Sequence, residues 1–234
     1  MTQALYLDNC YLKEFPAKVV AVEGTKVELD QSAFYPNSGG QPGDFGMLQR
    51  GQESFKVLDT VKQSGRTLHL VDREGLQAGD EVRGEIDRER RFRLMRMHTA
   101  AHLFSGVINK ETGADITGNQ LGLDKSRIDF SLENFNREQL KAYDEKVNGL
   151  ITAAMPVKIY ELPREEAFQI PALVKLRMLL PEHIRMIRII DIEGFDKQAC
   201  GGTHVKNTGE IGKVQIIGAE NKGKDNRRLY YTII

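Results

Sequence analysis

A chain of 234 residues, 40% of them hydrophobic, can bury one large core or two smaller ones, and its 33 basic and 33 acidic side chains leave no net charge to draw the whole molecule to a polyanion. No uninterrupted apolar run approaches the ~20 residues that cross a bilayer, and the segment MTQALYLDNC has neither a basic start nor a long apolar stretch, so a cytoplasmic location without a membrane partner is expected. Cys10 and Cys200 are too few and too far apart for a secreted disulfide scaffold.

From residue 18 to about 87 the pattern predicts short strands between glycine-containing turns: AKVVAVEGTKVELD, FKVLDTVKQSGRTLHLVD and DEVRGEID. A small β-barrel is the expected fold. After its second strand comes FYPNSGGQPGDFG, where prolines and glycines break regular structure and shape a loop. At Asp87 the character changes. That residue can cap a helix running through RERRFRLMRMHTAAHLFSGVINK and stopping near Gly113, so the domain boundary is expected here, with 1–87 the barrel domain and 88–234 a second domain.

Six arginines, Arg83, Arg88, Arg90, Arg91, Arg93 and Arg96, cluster about this boundary. They suit either phosphate contacts or a solvated face with internal ion pairs, since Glu85, Asp87 and Glu89 are interleaved. Beyond the first helix come a strand-like RIDFSL and a second helix from Asn136, where Gln139 can complete a capping box. The strands VKIYEL, IRMIRII, KVQIIG and RRLYYTII follow. Helices and strands without strict alternation predict an α+β domain.

Two clusters carry chemistry. His98-Thr99-Ala100-Ala101-His102 puts two imidazoles on one face of the predicted helix. Cys200-Gly201-Gly202-Thr203-His204 can fold back on itself because glycine permits the turn that brings thiolate and imidazole together. Alone, two histidines at that spacing are more often ordinary side chains than ligands, and Cys200 and His204 read also as a buried small residue and a loop histidine. Together they supply one cysteine and three histidines, which suits one tetrahedral zinc ion per chain. The glutamate that would follow the first histidine in a zinc peptidase is replaced by Thr99, which removes that reaction's general base. Four protein ligands fit a closed structural site, whereas catalysis needs an open position, and the sequence leaves both open.

The segments HTAAHLFSG, TGNQLGLDKSRIDFSL and CGGTHVKNTGEIGKVQIIG closely resemble the editing domain of alanyl-tRNA synthetase and its free-standing relatives, the AlaX proteins. FYPNSGGQPGDFG resembles the glycine-rich motif of the synthetase and of the medium-length AlaX proteins. The resemblance implies zinc at His98, His102, Cys200 and His204 in a zinc-binding editing domain at 88–234, and hydrolysis of the ester joining serine, and sometimes glycine, to tRNA(Ala). Seryl-tRNA(Ala) is then the partner, with no obligate protein partner. Such a reaction needs donors for a developing oxyanion, for which the N–H groups of Gly201 and Gly202 are candidates. It also needs a polar partner for the seryl hydroxyl. Thr117, fifteen residues after His102, falls near the family's pocket threonine, and Gln120 is a second candidate. Ala101 is a departure, because the synthetase domain has threonine before its second histidine. The loop residues Asn37, Ser38, Gly39, Gly40, Gln41 and Asp44 are expected in a packed interdomain loop, with Gly39, Gly40, Gln41 and Asp44 as substrate contacts. Lys222, Lys224, Arg227 and Arg228 are expected near the acceptor stem. Two alternatives stand beside this reading: a tRNA-binding module with a purely structural zinc, and a deacylase of seryl-tRNA(Thr).

Overall fold

The computed structural model describes residues 2–178 and 182–234 and divides the chain into two compact units, one of 1–95 with 120–123, the other of 96–119 with 124–234. Its secondary structure is mixed α and β. No helix among the described residues is long and apolar enough to cross a membrane.

In the first unit, strands Glu14–Glu23, Lys26–Leu29, Arg66–Val71, Glu53–Gln63, Gly46–Arg50 and Glu81–Ile86 close, in that order, into a six-stranded barrel. Alternation builds it: along Phe15, Ala17 and Val19 every second side chain is buried, and the intervening ones face out. Phe15, Leu29, Phe34, Leu48 and Phe55 fill the interior. Gly84 lies opposite Phe15 across the pairing of the first and last strands, and a Cβ at position 84 would stand 2.4 Å from the Phe15 ring. The barrel therefore needs glycine there to admit the ring. The strand Gly46–Arg50 was not expected from the sequence, because five residues with a glycine at one end and two polar side chains at the other carry no alternation to speak of.

The helix Arg88–Thr112 begins where Asp87 caps it, with the Arg90 N–H donating to Asp87 Oδ1 at 3.0 Å. It stops before Gly113, whose φ of +74° favours glycine. The arginine cluster about its start divides between solvent and interior, with Arg83 and Arg88 exposed. Arg91 is buried, and its guanidinium forks onto Asp44 while also donating to the Cys10 carbonyl at 2.9 Å and the Ala33 carbonyl at 2.6 Å. Arg90 lies over the Phe45 ring and donates to the Gly43 carbonyl, Arg83 pairs with Glu14, and Arg93 donates to the Leu123 carbonyl. Arg90, Arg91 and Arg93 thus brace the first unit.

The second unit holds a four-stranded sheet in the order Val214–Asn221, Arg227–Ile233, Ser126–Phe130, Ile116–Gln120, of which only the last residue, Gln120, counts with the first unit, and a three-stranded antiparallel sheet of Val157–Pro163, Met186–Ile192 and Asp196–Ala199. The long helix packs on the first of these: Phe104 meets Tyr231 with ring centroids 5.0 Å apart, and the Tyr231 hydroxyl donates to the Met97 carbonyl at 2.7 Å. The helix Arg137–Thr152 carries the anticipated capping box between Asn136 and Gln139. Its Asn148 exchanges two hydrogen bonds of 3.0 Å with the Val214 backbone, which seats it against the sheet edge.

Candidate metal centre

His98 and His102 come from successive turns of the long helix, so both imidazoles emerge on one side of it. Cys200 and His204 come from the loop after the strand Asp196–Ala199. One ligand atom from each of these four residues lies within 4.8 Å of the others. Ring centroids of His98 and His204 are 4.3 Å apart, and those of His102 and His204 are 4.6 Å apart. Cys200 Sγ stands 3.4 Å from His98 Nε2 and 3.5 Å from His204 Nε2. All four belong to the second unit.

The loop is held in this shape by three anchors. Arg188, on the strand Met186–Ile192, donates through Nη1 to the carbonyls of Cys200 at 2.7 Å and Gly202 at 2.9 Å, and its own carbonyl accepts from the Cys200 N–H. Thr99 Oγ1 accepts from the Val205 N–H at 3.2 Å and lies 3.2 Å from His204 Nδ1. Beyond the histidine, Thr208 fixes the loop to the end of the second helix, accepting from the Met155 N–H at 2.8 Å and donating to the Leu150 carbonyl at 2.9 Å. The threonine and asparagine of NTGEIG thus anchor the loop rather than reach toward the cluster.

Electrostatics fit the donor set to a cation. Burial first, then the neighbouring His102 and Arg188 charges, push the His98 pKa well below the usual imidazole value. Burial, with His98, His102 and Arg188 behind it, does the same to His204, and burial with Arg188 takes His102 down to about 4. Three imidazoles held neutral keep the lone pairs a metal requires. A cluster of one thiol and three neutral imidazoles can hold one metal ion, with the nitrogen and sulfur chemistry that zinc accepts.

The other expected site residues separate. The Gly202 N–H is directed at Cys200 Sγ at 3.4 Å, so of the two candidate oxyanion donors this one is engaged by the sulfur. The Gly201 N–H has no hydrogen-bond partner among the described residues, and its Cβ position opens onto free space. Thr117 is exposed on the strand Ile116–Gln120, with Oγ1 3.4 Å from Asn226 Oδ1 in the turn that carries Lys222 and Lys224. That turn brings the pocket candidate and two exposed lysines to one end of the four-stranded sheet.

Arg227 and Arg228 do not join them. Arg227 donates to Asn221 Oδ1 and to the carbonyls of Gly223 and Asn226, while Arg228 forks onto Asp129 at 2.7 and 2.9 Å and, with Arg127, holds that carboxyl below the usual range. Both guanidinium groups shape the hairpin. Gln120 and the glycine-rich loop lie in the first unit. There Gln41 and Asp44 are fully buried, Asp44 accepting from the Tyr35 N–H at 2.6 Å and pairing with Arg91, so neither is presented as a surface contact. Gly39 and Gly40 remain at the loop's tip, and the Gly40 carbonyl accepts from the Leu121 N–H at 2.8 Å.

Thr99 and Arg188 were not among the residues singled out from the sequence. Thr99 was readable: at one position after His98 it lies about 60° around the helix from His102, on the border of the ligand face. Arg188 carried no such signal, because a lone arginine in an apolar strand pattern does not say which loop it will hold.

The chain's residues 187–230 match the family described as the threonyl and alanyl tRNA synthetase second additional domain, and residues 3–90 match the model described as tRNA synthetases class II (A). The alanyl-tRNA editing protein AlaX-M of Methanosarcina barkeri is 50% identical over the whole of both chains. The protein of that name from Saccharolobus solfataricus is 43% identical over 100% of this chain and 99% of its own. The alanine–tRNA ligase of Ignicoccus hospitalis is 37% identical over 92% of this chain, which corresponds to 24% of that enzyme.

Proposed function

The chain belongs to the AlaX family of alanyl-tRNA editing proteins, and from that premise we propose that it is a trans-editing deacylase, removing serine wrongly esterified to tRNA(Ala). The observation that carries the reading is the convergence of His98, His102, Cys200 and His204, four donors from two distant segments, within 4.8 Å. These four would hold zinc, and 88–234 would be the editing domain beside a barrel domain of 1–87. Bound there, the ion supplies a fixed positive charge that can orient the aminoacyl end or lower the pKa of water.

The chain's own groups account for the remaining requirements. Hydrolysis of an ester places negative charge on the carbonyl oxygen, and the Gly201 N–H is a donor with no other claim on it among the described residues. Serine differs from alanine by a hydroxyl, so a pocket that hydrogen-bonds it leaves its own polar group unpaired with alanine. Thr117 is assigned that contact, and Gln120 is its second candidate. The exposed Lys224, on the turn that Thr117 touches through Asn226, supplies charge for phosphate oxygens without reading sequence, and Lys222 beside it does so once it leaves its 2.8 Å ion pair with Glu220.

Replacing Cys200 with alanine tests the reading. Zinc content and seryl-tRNA(Ala) deacylation should fall together; full activity in protein that has lost its zinc would remove the metal from the reaction.

A further inference from the structure

The geometry points to Thr99 as a positioning residue that fixes the tautomer and aim of His204, and so sets how tightly the four-donor centre holds its metal. The inference rests on the metal reading above and extends it to a residue that is not itself a donor.

Thr99 is fully buried, and it stands on the helix that supplies His98 and His102 while its hydroxyl reaches the loop that supplies Cys200 and His204. One oxygen therefore joins the two halves of the centre. His204 turns Nε2 toward the cluster, 3.5 Å from Cys200 Sγ, and Nδ1 toward Thr99 Oγ1 at 3.2 Å. The same oxygen accepts from the Val205 N–H at 3.2 Å, which uses one of its two lone pairs. The second lone pair can accept from Nδ1–H. That arrangement leaves the Nε2 lone pair directed at the other three donors. The opposite arrangement, with Thr99 donating to Nδ1, would put the His204 proton on Nε2 and close that nitrogen to a metal. Partners of this kind on the far nitrogen of a metal-binding histidine typically change affinity by about 10–100-fold when removed.

Valine is close to threonine in shape and lacks the oxygen, whereas serine keeps it. In competition with a chromogenic chelator, Thr99→Val should bind zinc about 10–100-fold more weakly than the wild type, and Thr99→Ser should bind close to it. Equal affinity in Thr99→Val and wild type would overturn the role of Thr99 while leaving the metal reading in place. A wild type that takes up no zinc would overturn both. Should Thr99→Val fail to fold, histidine-labelled wild type freed of zinc and read by long-range proton–nitrogen correlation decides the matter: the His204 proton should already sit on Nδ1 before any metal binds, and a proton on Nε2 would overturn the proposal.

Discussion

His69 is fully buried in the barrel unit, its Nδ1 3.0 Å from the Val27 carbonyl and its Nε2 2.7 Å from the Ser32 hydroxyl. A carbonyl only accepts, so Nδ1 carries the proton and Nε2 accepts from Ser32. Burial lowers its pKa from 6.5 to about 4, against the opposing pull of the Val27 carbonyl. The unfolded chain then binds the extra proton over that interval, so this contribution is complete above about pH 6.5 and is lost as pH falls toward 4. The interval corresponds to on the order of 3 kcal/mol. Urea midpoints of wild type and His69→Gln, compared from pH 8 to pH 5, should converge as pH falls; a constant difference would contradict the assignment. At Thr117 the expectation concerns selectivity. Thr117→Val should narrow the ratio of seryl to alanyl deacylation by about 10-fold or more, on the scale by which a lost hydroxyl partner relaxes discrimination, and an unchanged ratio would retire it as the discriminator. These two residues differ in legibility. Thr117 was singled out from a motif it belongs to, while His69, in an ordinary strand, gave no sign of its buried partners.

The glycine-rich loop is the element whose charges were least legible in the sequence. Its composition predicted a shaped loop, and that is present: a Cβ at Gly43 would stand 2.3 Å from the Thr60 carbonyl, so the loop lies too close to the barrel strand for any larger residue. What the sequence did not disclose is where the charges go. Asp44 and Arg91 are 47 positions apart, and nothing local pairs them, yet they form a buried ion pair with side-chain exposures of 1% and 4%. Asp44→Ala would leave the Arg91 guanidinium buried without its carboxylate, which typically costs about 3–5 kcal/mol. Thermal or urea unfolding should show a loss of that size; a change under about 1 kcal/mol would mean that the pair does not hold the loop. The starts of the two long helices, by contrast, were legible to the residue, because the Asp87 cap and the Asn136–Gln139 capping box are local chemistry, whereas the short helical turns such as Leu5–Asp8 and Arg164–Ala167 were not. The short strands Gly46–Arg50, Ile116–Gln120 and Asp196–Ala199 were not, since each owes its extended form to a neighbour rather than to its own alternation.

At the scale of the whole molecule, the long helix runs from one compact unit into the other, and residues 120–123 return to the first, a return sealed by the Leu121 N–H on the Gly40 carbonyl that no sequence pattern announces. The metal centre lies wholly in the second unit, and its two donor pairs were legible because each is compact in sequence. Their convergence was an inference about chemistry that the geometry now supplies. A centre that serves hydrolysis differs from one that only holds the fold in what happens to the ester. The direct test is deacylation of seryl, glycyl and alanyl esters of tRNA(Ala), beside seryl-tRNA(Thr), with zinc measured in the same sample. Zinc near one per chain and rapid loss of serine from tRNA(Ala), with alanine spared, are expected. Bound zinc with every ester intact would contradict that expectation and identify a tRNA-binding module with a structural metal, and preferential loss of serine from tRNA(Thr) would contradict the choice of substrate.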